Sequence, residues 1–246
     1  MLSVIATEND FTDYRHLMES ILAPKTPLCE PHDGKTVMLR HDIDYSMDKA
    51  LDFARAEYEM GYRSTYFLLH TAPYFDYSSL FRDQVRELQD LGHEVGIHNN
   101  FISEWYRTGT ISIARSLGFL RSAGVDVFGT ASHGDQLCYE HGFINYEVWT
   151  ECYGKNSNRK PREKEPSWPR FSLKEFGLEY EAYFLHRDAY LTDSGHHWVG
   201  AVKKMPAMET TPNPIGKDET IDRFNAMEGD AIMQVLTHPI WWKVTK

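Results

Sequence analysis

From residue 36 onward the apolar positions switch between a period near two and a period near 3.6, and the switching predicts alternating strands and helices. Residues 36–41, Thr-Val-Met-Leu-Arg-His, form a short β-prone run. Met47, Ala50, Leu51, Ala54 and Tyr58 then share one helical face, with Ser46 placed to cap the helix and Gly61 to stop it. Residues 64–69 read as a buried strand. A second helix starts near Ser78 or Ser79, aligns Phe81, Val85 and Leu88, and ends at Gly92. Residues 93–98 give a third strand. Ile113, Ala114, Leu117 and Leu120 mark a third helix closed by Gly124, and residues 125–128 give a fourth strand. This pace implies βαβ units and a parallel sheet. Three such units without a nucleotide-type glycine fingerprint favour a (β/α) barrel over a dinucleotide fold.

The second half is less regular. Residues 153–170 combine Lys155, Arg159, Lys160, Arg162, Lys164 and Arg170 with Pro161, Pro166 and Pro169. A solvated excursion is the favoured reading of this basic stretch, and a flap over an anionic substrate is the alternative. Residues 203–217 form another proline-rich loop, after which a helix over 220–227 and a strand over 231–236 are predicted. No repeat or linker divides the chain, so a single domain spanning 1–246 is expected.

Reactive residues collect where the predicted strands end. Asp42 and Asp44 close the first, His98 closes the third, the run Ser132-His133-Gly134-Asp135 follows the fourth, and His238 follows the last. In α/β barrels the chemistry sits at the carboxyl ends of the strands. One strand ending in a histidine would mean little, whereas several converging on one mouth form a site. Asp42 and Asp44 lie two apart and point to the same side of an extended backbone. Two carboxylates so close cannot both be comfortably ionised unless a cation or a hydrogen-bond donor relieves the repulsion, and a divalent metal on one of them would do so. The bland reading of the pair is helix capping, which could use one of them. His98 adds the nitrogen that turns an oxygen site toward zinc-like metals.

Composition narrows the partners. Lys and Arg number 26 against 36 Asp and Glu, a net charge of −10, which disfavours nucleic acid and anionic membranes. The three cysteines are dispersed, which argues against a disulfide framework or a zinc ribbon. No apolar run reaches membrane-spanning length. The first residues lack a basic segment before Glu8, so a cytoplasmic location is expected.

Arg40-His-Asp-Ile-Asp44, Gly92-His-Glu-Val-Gly-Ile-His98 and Leu236-Thr-His-Pro239 together resemble the motifs of the polysaccharide deacetylases, from about residue 36 to the end. Members of that family are metal-dependent enzymes that remove acetyl groups from N-acetylated sugars on a distorted parallel (β/α) barrel. The resemblance implies Asp42 as general base, Asp44 and His98 as metal ligands, and His238 as general acid. Tyr190-Leu-Thr-Asp-Ser-Gly-His-His-Trp198 is similar to a further motif, giving Asp193 as the residue that orients His238 and Trp198 as a pocket wall. One divalent metal, with zinc first, and an acetylated sugar or glycan of a surface polysaccharide or its precursor follow as cofactor and substrate.

Two positions depart from the pattern. Ile102 stands where the family places a second metal histidine, and the stretch Thr130-Ala-Ser-His-Gly134 lacks the arginine usually found there. His133 is the candidate third ligand, and Arg40 can replace the absent arginine while also serving as a substrate contact. Trp242, with Trp241, offers a sugar-stacking surface or simple core packing. His93 reads as a hydrogen-bonded core residue, and His70, His196 and His197 as loop residues near the mouth. The rival functions are an inactive sugar-binding barrel, which Ile102 and Thr130 favour, and a glycoside hydrolase using Asp42 and Asp44. The same-side placement of the two carboxylates counts against the second.

Overall fold

The computed structural model describes residues 9–30, 34–155, 168–202 and 214–245, and its fold is mixed α/β. The first elements are β1 (Asn9–Asp10), α1 (Phe11–Ser20), β2 (Lys25–Thr26), β3 (Thr36–Ile43), α2 (Met47–Glu59) and β4 (Thr65–Leu69). Then come α3 (Ser79–Asp90), β5 (Glu94–Asn99), α4 (Phe101–Thr108), α5 (Ile113–Ser122), β6 (Gly129–Ser132) and α6 (Gln136–His141). The chain closes with β7 (Tyr180–Glu181), β8 (Ala189–Thr192), β9 (Val199–Val202), α7 (Lys217–Asn225), β10 (Ile232–Thr237) and β11 (Trp242–Lys243). Among the described residues no helix is long and apolar enough to cross a membrane.

The periodicity locates α2, α3 and α5. Ser46 caps α2 by accepting from the Lys49 amide, and Met47, Ala50, Leu51 and Ala54 are buried as expected. Tyr58 is exposed instead, and Glu57 takes the buried position beside it. In α5, Ser116 and not Ala114 faces inward. The fourth strand is displaced. Val125 and Val127 are buried but unpaired, and the strand is Gly129–Ser132. Gly129 is required there because the Tyr180 ring of β7 fills the space a Cβ would need. Of the two proline-rich loops, residues 156–167 and 203–213 lie outside the described residues.

The chain divides into two compact, interleaved units. The first comprises Met1–Tyr66, Asp90–Glu94 and His186–Lys246. Here β3, buried along its whole length, runs parallel to β2 on one side and to β10 on the other. β10 is also parallel to β8, and β8 pairs antiparallel with β9, so the sheet is mixed where a wholly parallel one was expected. Register does the functional work. His41 lies opposite Thr237 and Leu236 opposite Thr192, so β3, β10 and β8 reach their carboxyl ends at nearly one level. A core of Phe11, Tyr14, Phe53 and Trp242 rings packs α1 and α2 onto this unit.

The second unit comprises Phe67–Gln89 and Val95–Leu185. Its strands β5, β6 and β7 are parallel, with His98 opposite Ala131 and Asn99 opposite Ser132. Helices α4, α5 and α6 carry Phe101, Ile102, Leu117, Leu120 and Cys138 into its core.

Candidate active site

In the first unit, the carboxyl ends of the three parallel strands bring together Asp42, Asp44, Asp193 and His238. Arg40 and Asp42 share a face of β3, being two residues apart. The Arg40 guanidinium donates from Nε to Asp42 Oδ1 and from Nη2 to Oδ2, both at 2.8 Å. This buried two-point grip fixes the carboxylate plane and suits an ionised Asp42. Arg40 is thereby committed to Asp42 on its own strand. Its fork is directed at Asp42.

Asp193 follows β8 and His238 follows β10. The His238 ring donates from Nδ1 to Asp193 Oδ1 at 2.7 Å, and the His238 amide donates to Oδ2 at 3.1 Å. The indole Nε1 of Trp242 donates to the same Oδ2 at 2.9 Å. With Nδ1 committed to Asp193, the other nitrogen, Nε2, points toward Asp44, whose Oδ2 lies 4.0 Å away. Trp241 covers the His238 ring at 4.4 Å between centroids.

Burial alone would push His238 toward its neutral form. The Asp193 hydrogen bond and charge, with Asp42 and Asp44 behind them, outweigh burial and raise its pKa. Asp44 moves up as well, to about 6, because burial and then the neighbouring Asp42 charge disfavour its ionised form. A cation beside Asp44 would reverse both effects.

In the second unit, His98 closes β5 and His133 follows β6, with their rings edge-on at 5.1 Å between centroids. His98 Nδ1 lies 2.9 Å from the Ala131 carbonyl, to which it must donate. The ring's lone pair is therefore on Nε2, the arrangement a metal ligand needs. His133 is pinned through its backbone: its amide donates to the Asn99 carbonyl at 2.8 Å, and its carbonyl accepts from Asn145 Nδ2 at 2.9 Å. By donor chemistry alone, the Asp44 carboxylate of the first unit and the His98 and His133 imidazoles of the second are each of a type that suits a divalent metal.

The remaining candidates separate. Trp198 is half-buried, 5.9 Å from the Trp242 ring. Trp242 itself is buried and spends its only polar atom on Asp193, so it positions the carboxylate and offers no face to a sugar. His93 is the core residue expected, with Ser64 donating to its Nδ1 and its Nε2 donating to the Ala54 carbonyl. His70 is buried, 3.4 Å from Glu104. Ile102 lies in the core of the second unit, its amide held by Asn145 Oδ1, and Thr130 is buried beside Asn99. Sequence reasoning missed Asn145, Glu57 and the indole of Trp242, because their partners are distant in the chain and no local motif marks them.

No protein-family model matches this sequence, and no curated protein does. Among solved structures, the chain is similar to the catalytic domain of a peptidoglycan N-acetylglucosamine deacetylase from Eubacterium rectale. The identity is 13%, over 86% of this chain and 81% of that one, with a TM-score of 0.42. A Streptococcus mutans CE4 esterase is 14% identical over 95% of this chain and 80% of that one, also at 0.42. A mutant CE4 family pseudoenzyme with restored activity is 12% identical over 87% and 60%, at 0.41. These are distant likenesses.

Proposed function

We propose that this chain is a metal-dependent hydrolase, a single catalytic domain on a distorted (β/α) barrel. It removes acetyl groups from N-acetylated sugars of a surface polysaccharide or its precursor. The observation that carries this reading is the Asp193–His238 pair, whose other nitrogen, Nε2, points toward Asp44, two residues along the chain from the Asp42 that Arg40 grips. That arrangement offers a base and a charged acid, which hydrolysis of an unreactive amide requires. The motif resemblance supplies the substrate class.

Asp44, His98 and His133 would hold the metal, and their two imidazoles and one carboxylate favour zinc. When bound, such an ion supplies Lewis-acid polarisation of the acetyl carbonyl and acidifies a water. Asp42, oriented by Arg40, takes the proton of the attacking water. The Asp193 carboxylate keeps His238 in the charged form and holds its ring, so that Nε2 gives its proton to the departing amine. Acetate and a free amino sugar result. Trp198 is placed to line the sugar site.

The test is acetate release from a panel of N-acetylated sugars and oligosaccharides, with and without added divalent metal. Metal-dependent release supports the reading. Ile102 favours a second reading, an inactive sugar-binding protein, since a family ligand position is occupied here by a core side chain. Sugar binding with no acetate released at any metal concentration would establish that one.

A further inference from the structure

Beneath the proposed site lies a second polar cluster that the mechanism leaves unused. Glu57, on α2, is fully buried and accepts from the hydroxyls of Ser64 at 2.6 Å and Tyr66 at 2.8 Å. The Tyr14 hydroxyl also donates to it. Its fourth partner is His41, whose Nε2 lies 3.0 and 3.1 Å from the two carboxylate oxygens. Burial opposes ionisation, yet the His41 charge and hydrogen bond, with Ser64, hold the Glu57 carboxyl down at about 2. The other His41 nitrogen, Nδ1, reaches Thr237 Oγ1 at 2.6 Å. The chain Glu57–His41–Thr237 therefore crosses from helix α2 through β3 to β10.

Its level in the sheet matters. The registered pairing of β3 with β10 ends at His41 opposite Thr237. The next residue on β3 is Asp42, and the next after β10 is His238. Both lie one residue beyond the last registered pair, so the side-chain bond between His41 and Thr237 ties the two strands immediately before the proposed base and acid. His41 and Thr237 point to the face opposite Asp42 and His238, because adjacent residues alternate. They touch neither water nor substrate on the catalytic face. What they can set is the spacing of the two strand ends.

We infer that His41, anchored by Glu57 and bonded to Thr237, is a positioning residue that holds the proposed base and acid in register across the β3–β10 strand ends. This rests on the deacetylase reading for its effect on turnover, and on geometry alone for its effect on the His238 ring. An anchor made of four buried side chains, from α1, α2, β4 and the segment before β4, leaves His41 little freedom. Its rigidity is what makes the tie useful, since displacement of a reacting group by about 1 Å is enough to cost roughly a hundredfold in rate.

The experiment compares Thr237→Val with Thr237→Ser in the full chain. Valine keeps the shape and removes only the oxygen that meets His41, whereas serine keeps the oxygen. Thr237→Val should lower kcat on N-acetylated sugars by about tenfold with little change in KM, a fraction of the cost of removing an acid–base group outright. Aryl acetates, whose leaving groups need no proton, should lose about threefold or less. The proton on His238 Nδ1, observed by NMR, should broaden or move in Thr237→Val and return in Thr237→Ser. Glu57→Gln should act in the same direction where it folds. Wild-type rates and an unmoved Nδ1 proton in Thr237→Val would overturn the inference. So would equal losses on both substrates that follow the fraction of folded protein. A wild-type protein that releases no acetate defeats the deacetylase reading, and the Nδ1 proton then decides the positioning role by itself.

Discussion

The two units hold their candidate residues in contrasting ways. In the first, charged side chains hold one another: Arg40 grips Asp42, and Asp193 accepts from the ring and the amide of His238 and from the indole of Trp242. In the second, the His98 ring is set by the Ala131 carbonyl, and His133 is held through its main chain by Asn99 and Asn145. Charge–charge contacts tune protonation, which acid–base residues need. Carbonyl contacts fix a neutral tautomer, which ligands need. The contrast fits the proposed division, in which the first unit supplies the acid and base and the second two of the three metal ligands.

The largest effect that would sharpen this contrast comes from Asp42→Asn. It should lower turnover by roughly three to four orders of magnitude, at the upper end for loss of a general base, while leaving bound metal unchanged. Elemental analysis beside the kinetics checks both halves. Equal metal loss in Asp42→Asn and His133→Ala would break the division between the units.

Next is the pH profile. His238 must be charged to act as acid, and Asp193 raises its pKa. Asp193→Asn removes that charge, so the histidinium is lost at lower pH and the alkaline limb of kcat should move downward. An unmoved limb would detach Asp193 from the acid.

A third prediction concerns stability without metal. Asp44 has a folded pKa of about 6, raised from the ordinary carboxylate value of 3.8. Its contribution is therefore fully present below pH 3.8 and is lost as pH rises through 6. Asp44→Asn should make the metal-free protein more stable than wild type above pH 6, by roughly 3 kcal/mol. The two should be equal near pH 4, and urea unfolding at the two pH values measures the difference.

The smallest effect belongs to Trp242→Phe. It keeps the packing against Phe53 and Tyr14 but removes one of three hydrogen bonds on Asp193. A loss of about threefold to tenfold in kcat is expected, the size of one ordinary hydrogen bond of about 1 kcal/mol, since two others still hold Asp193. An unchanged kcat would make Trp242 a packing residue only.

What the sequence made legible follows from the range of the interactions. Helices α2, α3 and α5 announce themselves through apolar spacing, and the i, i+2 placement of Arg40 and Asp42 puts them on one face. Helix α4 escaped because it is only eight residues long and follows β5 after one residue, too short for a clear helical period. The strand Gly129–Ser132 escaped because it is small and polar, while the more apolar residues before it are buried without pairing. β8 is only four residues long, and its partner β10 lies 40 positions further on, beyond any local pattern. In the site, strand ends betrayed the reactive residues themselves. Their supports, such as the Trp242 indole on Asp193 or Asn145 under His133, depend on tertiary contacts that no spacing encodes.

The central claim is that His238, charged by Asp193, protonates a leaving amine. The most direct measurement is the rate of acetate release by His238→Ala on an N-acetylated sugar and on an aryl acetate, both against wild type with metal supplied. The account predicts a loss of roughly two to four orders of magnitude on the amide and a much smaller one on the aryl ester. Equal losses on both would contradict it and make His238 a structural or metal-binding residue.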